Sequence, residues 1–248
     1  PAAVTAPIPA VVSAIVTNVK DDENLGRVKV KIPRLDEKFE SGWLRVAQPG
    51  AGSERGALVL PEVDDEVLVT FEHGDIRRGY VIGGLYNGVD KPAPPQFDGT
   101  VGSDGKVAKR SFTSRKGHFQ VYSDADGDEY IELSSKDHEF ALKLAKDADG
   151  GAILLTSKNL VKIDAQGDIT IVSNGKINVD ATGELTMKGQ SVKIDATTSL
   201  ELNGQTVKVA GATTTEVSGA QTKVAGSAAL DLDGGASANL HAGVVRIN

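Results

Sequence analysis

Residue types that carry out catalysis or bind metals are sparse in this sequence and do not form a recognisable site. The four histidines lie in four separate segments, and none has metal-ligand spacing to another: His73, His118, His138 and His241. The acidic run at residues 62–66 is typical of a turn between strands, where carboxylates are more often solvated than catalytic. An enzyme needs a nucleophile with a base, paired carboxylates or a metal cluster in a cleft. We therefore predict no catalytic residues and no enzymatic activity.

Two further stretches resemble ligand-binding loops but lack residues that such loops require. The segment DADGDE, residues 124–129, resembles the start of a calcium loop, which needs Gly at its sixth position and Glu at its twelfth. Glu129 and Ser135 stand at those positions. The glycine-rich GYVIGGLYNG, residues 79–88, lacks the strand–loop–helix setting of a phosphate loop. We predict neither a metal site nor a cofactor.

Composition limits the classes of partner. The chain has 248 residues, of which 40% are apolar, enough for a substantial core, and 34 acidic against 27 basic side chains give a net charge of −7. This balance argues against nucleic acid or an anionic membrane as the main partner. The absence of cysteine excludes disulfides, and no stretch approaches the ~20 apolar residues of a membrane helix.

The chain changes character along its length. All nine prolines lie at or before Pro95, and every aromatic residue lies at or before Phe140. Residues 91–106 have the Pro and Gly content of a linker. We predict an N-terminal tail at 1–10, a barrel domain at 11–90, a linker with connecting hairpins at 91–150, and a repeat region at 151–248.

The first domain is predicted to be a small β-barrel. In GRVKVKIP the residues Val28, Val30 and Ile32 share one face, and EVLVTFEHGD alternates in the same way at Val67 and Val69. Together with VVSAIVTNVK, WLRVAQ, GALVLP and GYVIGGLY, this gives about six short strands. Closure into an OB-type Greek-key barrel removes exposed strand edges. An OB barrel that binds single-stranded nucleic acid needs a basic groove. Residues 1–90 carry 10 basic against 14 acidic side chains, so we do not expect this barrel to bind nucleic acid.

The connecting segment is predicted to form hairpins. GHFQVYSDADGDEYIELSS places two alternating runs around an Asp-Gly pair, and DADGGAILLTS repeats the arrangement. Glycine tolerates the positive φ that such tight turns require. A further set of strands therefore follows the barrel.

The last part of the chain is a repeat. From residue 161 an apolar pair separated by one residue returns every seven or eight residues, with turns such as Asn174-Gly175 and Asn203-Gly204 between pairs. The predicted core of this region consists of Val161, Ile163, Ile169, Ile171, Ile177, Val179, Leu185, Met187, Val192, Ile194, Leu200, Leu202, Val207, Val209, Val217, Val224, Leu230, Leu232 and Leu240. Twelve such strands, each advancing ~4.8 Å, give a needle of roughly 60 Å or more.

A ribbon with one narrow apolar stripe cannot cover that stripe by itself. Three copies wrapped around one axis would turn each stripe towards the other two and leave Lys, Asp, Glu, Thr and Asn facing water. We therefore predict an all-β fold in which an OB-fold barrel precedes an intertwined, homotrimeric β-helix. A single-chain β-solenoid and an adhesin stalk are the alternatives, although a solenoid usually needs ~20 or more residues per coil.

Several ordered motifs resemble the central spikes of contractile injection systems, which include VgrG proteins of type VI secretion, phage baseplate spikes and extracellular injection systems. The shared pattern is LGRVKV, then WLRVAQP, then PEVDDEVLV, then a Gly-Asp and the closing GGLYN. RSFTSRKGHFQVY with DGDEYIELSS resembles the segment that follows the barrel in this family. The resemblance implies a non-enzymatic spike that is assembled in the bacterial cytoplasm, becomes part of a secreted, extracellular or virion-like particle, and punctures a target envelope.

The resemblance also implies partners. A PAAR-like tip protein is expected to dock on the exposed end at Val245 and Ile247, and hub, tail-tube and baseplate proteins at the N-terminal end. Nothing here corresponds to the large hub part of VgrG spikes, so the chain is either a fragment or a short spike with a separate hub. Some short phage spikes end in an iron-binding HxH apex, whereas this sequence has His241 alone near its end. A trimeric tail fibre or adhesin that binds a surface ligand is the alternative function.

Overall fold

The computed structural model describes residues 11–92, 98–147 and 150–246. Their regular secondary structure consists of β-strands and one short 3₁₀ turn at Glu72–Gly74, so the fold class is all-β as predicted. The predicted tail at 1–10 lies outside the described residues. Contacts divide the chain into two compact units, Pro1–Ile169 and Thr170–Asn248. The barrel and a five-stranded sheet both belong to the first unit. The finer division of the chain at residues 91 and 151 stays a prediction.

The predicted OB-type barrel is confirmed. The first seven strands are β1 Val12–Asn18, β2 Arg27–Lys31, β3 Leu44–Val46, β4 Ala51–Gly52, β5 Arg55–Gly56, β6 Glu66–Phe71 and β7 Gly79–Gly84. Five of them close in the order β1-β2-β3-β7-β6, antiparallel except for the parallel pair β3–β7. The two very short strands β4 and β5 form a separate hairpin between β3 and β6.

The barrel core consists of the residues whose alternation predicted it. Val28, Val30 and Ile32 are fully buried, and so are Val67 and Val69 on β6. They pack in one cluster with residues from β1, β3 and β7. Since side chains of a strand alternate between its two faces, one apolar face per strand is enough to fill a small barrel.

The prediction of a strand at GALVLP is wrong. Residues 57–61 belong to no strand, and Leu58 and Val59 are exposed. The amide of Gln48 accepts a hydrogen bond from the Val59 N–H and donates one to the Val59 carbonyl, both at 3.0 Å. A side chain thus satisfies backbone groups that a neighbouring strand would otherwise pair.

An ion pair fixes the connection between β1 and β2. Arg27 donates two hydrogen bonds to Asp21, from Nε at 2.9 Å and from Nη2 at 2.7 Å. The Asp21 carboxylate also accepts the backbone N–H groups of Glu23 and Leu25. The Arg27 guanidinium, followed by these backbone donors, holds the pKa of Asp21 well below its usual range, although burial opposes the shift.

The predicted hairpins after the barrel are confirmed as part of one antiparallel sheet. Its strands pair in chain order, and the tight turn between β9 and β10 contains Gly127 at φ 77°. The turn at 148–149 between β11 and β12 lies outside the described residues. The bounds are β8 Lys109–Thr113, β9 Phe119–Ala125, β10 Asp128–Ser134, β11 Phe140–Asp147 and β12 Gly150–Ser157.

From residue 158 to residue 246 the chain has a regular pattern of bends. Within the described residues 158–246 of the single chain, none belongs to a helix or a strand. Bends or turns fall between successive apolar pairs, for example at residues 166–167, 174–175, 182–183, 197–198 and 212–213. The chain therefore changes direction once per repeat, as predicted, whereas the β-helix itself stays a prediction.

Candidate assembly surface

The predicted core residues of the repeat are exposed in the single chain, and their grouping into one apolar stripe stays a prediction. Every one of them is between 49 and 78% exposed, the extremes being Val161 and Leu232. The first member of a pair is less exposed than the second, as with Ile177 at 54% and Val179 at 70%. This recurs at 161/163, 169/171, 185/187, 192/194, 200/202, 207/209 and 230/232. The repeats thus share one local arrangement, and the part of the chain that the structure describes leaves their apolar side chains largely exposed.

The predicted docking residues at the end of the chain are only partly described. Val245 is about half exposed. Ile247 lies outside the described residues. Their role in holding a tip protein stays a prediction.

The structure adds an apolar surface that the sequence analysis missed. Two rows of aliphatic side chains cross β10, β11 and β12 on one face of the sheet, because each residue stands directly opposite the next across the strand pairs. We call this the exposed sheet face, and it consists of Leu133, Leu142 and Leu155 in one row and Ile131, Leu144 and Ile153 in the other. All six are between 39 and 76% exposed. Alternation on β10 and β11 could have placed these residues on one face of the sheet, but it could not have shown that this face is exposed.

The opposite face of the same sheet holds a buried polar group. Glu132 and Ser134 on β10 are buried, next to Phe119 and Val121 on β9. His138 lies 2.9 Å from Glu132 through Nδ1, and its ring meets Phe119 edge-on at 5.4 Å between centroids. This face of β9 and β10 is therefore covered within the chain, unlike the exposed sheet face.

The Ser134, His138 and Glu132 side chains do not form a catalytic triad. Both Ser134 Oγ, at 3.2 Å, and Glu132 Oε1, at 2.9 Å, approach the same ring nitrogen, His138 Nδ1. A triad histidine uses one nitrogen for the nucleophile and the other for the carboxylate. Ser134 Oγ also lies 3.0 Å from the carbonyl of Ser135, to which it can donate. The cluster instead closes the turn between β10 and β11.

Two further histidines lie apart from this cluster. His118 stacks on Phe140 at 5.8 Å between ring centroids, and His73 lies in the 3₁₀ turn. Across residues 11–92, 98–147 and 150–246, no three His, Asp or Glu side chains are grouped closely enough to hold a metal ion. Over the same ranges, no helix is long and apolar enough to cross a bilayer.

Comparison with known families assigns the barrel. Residues 12–86, which contain all the strands of the closed barrel, match the family described as the type VI secretion system/phage-baseplate injector OB domain. The barrel segment of this chain is therefore similar to the OB domain of type VI secretion and phage-baseplate spikes. The relatives found are named mainly as structural spike proteins, and one of them, VgrG1 of Vibrio cholerae, is named an actin cross-linking toxin.

Individual relatives support the same assignment. The chain is 28% identical over 154 residues to the type VI secretion system spike protein VgrG1b of Pseudomonas aeruginosa, which covers 53% of this chain and 21% of the relative. VgrG4b of the same species is 34% identical over 146 residues, covering 50% and 18% respectively. VgrG3 of Vibrio cholerae is 42% identical over 69 residues, covering 26% and 7%. The chain thus spans about a fifth or less of these relatives.

Proposed function

We propose that three copies of this chain form the rigid needle of a contractile injection spike. The exposed apolar stripe of the repeat carries this proposal. The single chain exposes 21,665 Å², about twice the ~10,500 Å² expected for a compact monomer of its 25.9 kDa mass. Soluble monomers rarely leave continuous apolar patches above a few hundred Å² exposed.

The backbone of residues 158–246, which contains no strand, favours association with other chains rather than a single-chain solenoid. A solenoid pairs the strands of successive coils within one chain, so its ladders are present in the monomer. Within residues 158–246 the structure contains no strand. Backbone groups of a buried β-structure must find partners, and other copies of the chain can supply them.

The exposed sheet face extends the proposed interface upstream of the repeat. β12 ends at Ser157, four residues before the first apolar pair at Val161 and Ile163. Leu142 and Leu144, at the centre of the two rows, lie on a face with no cover in the described chain. We propose that neighbouring chains cover this face in the assembled spike, as they cover the stripe.

The mechanical role follows from such an assembly. A needle in which every strand is hydrogen-bonded to a neighbour and every layer is packed resists axial load over its whole length. We propose that the N-terminal end meets hub, tail-tube and baseplate proteins and that a PAAR-like tip protein docks at Val245 and Ile247. The needle is assembled in the bacterial cytoplasm, travels on the secreted or virion-like particle, and contacts the target membrane only while puncturing it.

The oligomeric mass tests this proposal. Sedimentation equilibrium of the purified chain should give three times the 25.9 kDa of one chain, and the complex should survive SDS without heating. A soluble monomer would contradict the proposal. A trimer that binds a surface glycan or receptor but no tip protein would instead support the tail-fibre alternative.

A further inference from the structure

The outward residues of the repeat alternate in charge from one repeat to the next. The residue between the two apolar members of each pair points away from the stripe, since neighbouring side chains on an extended segment lie on opposite faces. In the second half of the repeat region these residues are, in order, Lys193, Glu201, Lys208, Glu216, Lys223 and Asp231. All six are exposed. We call them the central charge column.

The flanking outward positions follow the same rule. Immediately before the pair stand Lys176 and then Glu184, and immediately after the pair stand Asp180, Lys188 and Asp195 in three successive repeats. Wherever two successive repeats from 176 onwards carry charges at the same position, the signs are opposite. Solubility alone does not require this change of sign. Exposed charges that lie farther apart than the screening length interact little, whatever their signs.

Winding of the chain determines which repeats become neighbours. The neighbours described below exist only in the trimeric needle proposed above. If each chain bends to the next of three faces after every repeat, a given face receives one repeat from each chain in turn. A repeat of one chain is then stacked on the next repeat of another chain, ~4.8 Å away. Repeats with the same number lie at one height on three different faces.

We infer that the charge columns pair between chains on each face, and that this pairing stabilises the offset of one repeat that the winding produces. With this offset Lys208 of one chain stands between Glu201 and Glu216 of the other two chains. Opposite charges directly across neighbouring strands are favourable, whereas like charges there are destabilising. An offset of two repeats would place Lys208 beside Lys193 or Lys223. The alternation therefore discriminates odd offsets from even ones along the whole column.

Pairs within one repeat do not replace this interaction. In the single chain Lys193 Nζ lies 2.6 Å from Asp195, two residues away on the same side of the segment, and both side chains remain more than three-quarters exposed. Glu201, Lys208, Glu216 and Lys223 have no charged residue two positions away. Their opposite-charge neighbours at the same position are in the adjacent repeats.

Cysteine pairs test the offset directly, because the natural sequence contains no cysteine. The double variant Glu201→Cys/Lys208→Cys should form disulfides between chains and run as a covalent trimer on a boiled, non-reducing SDS gel. Adjacent strands satisfy the ~4.4–6.8 Å between Cα atoms that a disulfide needs. The matched variant Glu201→Cys/Glu216→Cys, whose sites lie ~10 Å apart on a face, should remain monomeric on the same gel. The single variant Glu201→Cys should also give no crosslink.

The outcomes separate the offset from the trimer. If the protein sediments as a trimer but the 201/216 pair or the single variant crosslinks in place of the 201/208 pair, the offset is refuted and the trimer stands. Asp180→Cys/Lys188→Cys provides a second pair of sites, in the flanking column. Failure of both one-repeat pairs to crosslink in a trimeric protein overturns the inference. A monomeric wild-type protein overturns the proposed needle, and the offset with it.

Charge reversal tests the role of the column. Lys208→Glu should lower the temperature at which the trimer dissociates in SDS, and ~1 M NaCl during assembly should reduce the difference, since it shortens the screening length to ~3 Å. Reversal of all six residues of the central charge column restores alternation and should return the dissociation temperature to near the wild-type value. A full reversal that is no more stable than Lys208→Glu alone would contradict pairing between chains.

Discussion

Replacing Ile177 by aspartate tests whether the apolar stripe is an interior surface. Ile177 is 54% exposed in the single chain. Complete burial of an isoleucine side chain contributes about 1.5–3 kcal/mol, so covering the exposed half contributes about 1 kcal/mol per chain and about 3 kcal/mol for a layer of three. Three carboxylates near the axis would each add an unfavourable desolvation of several kcal/mol. The total loss, on the order of 10 kcal/mol, is enough to abolish assembly.

Asn178→Asp is the matched control for this substitution. It adds the same carboxylate one residue later, on the side predicted to face water. We expect Ile177→Asp to sediment as a monomer and Asn178→Asp to remain a trimer that resists SDS without heating. Ile194→Asp should behave as Ile177→Asp does. Recovery of a detergent-resistant trimer from either isoleucine variant would refute the assignment of inward and outward positions.

Three further substitutions test other parts of the molecule. Leu142→Lys on the exposed sheet face should reduce the SDS resistance of the trimer while leaving barrel unfolding unchanged; unaltered resistance would argue that no chain covers this face. Ile32→Ala should destabilise the barrel by about 2–5 kcal/mol in urea unfolding, and a loss below ~0.5 kcal/mol would contradict its place in the core. Asp21→Asn should lower barrel stability at neutral pH. Because the folded-state pKa of Asp21 is depressed, its contribution is complete above about pH 4 and disappears as the pH falls towards that lower value. An equal difference between wild type and variant at every pH would contradict this assignment.

The barrel could be predicted from sequence because each of its main strands buries one face. Val28, Val30 and Ile32 alternate with lysines and arginine, and such a pattern fits a half-buried strand and little else. The apolar content of GALVLP was misleading, because its backbone is not paired with a strand. The Val59 backbone is instead hydrogen-bonded to the side chain of Gln48, 11 residues earlier. A hydrogen bond between a side chain and a distant backbone leaves no periodic signal.

The assembly surface could be predicted only in part. The spacing of the apolar pairs predicts the stripe, and the structure places bends between the pairs as expected. The exposed sheet face was missed because Leu142 and Leu144 alternate as any half-buried strand does, and alternation does not reveal which face the chain itself leaves uncovered. The identity of the covering partner depends on other copies of the chain, which a single sequence does not contain.

The most direct test is a high-resolution structure of the purified, assembled protein. We predict three chains around one axis, with each repeat hydrogen-bonded to a different chain. The Ile177 side chains of the three chains should meet near that axis, and so should those of Val192 and of Leu200. A structure in which one chain folds alone, pairs its repeats with one another and leaves these three side chains in water would contradict the account.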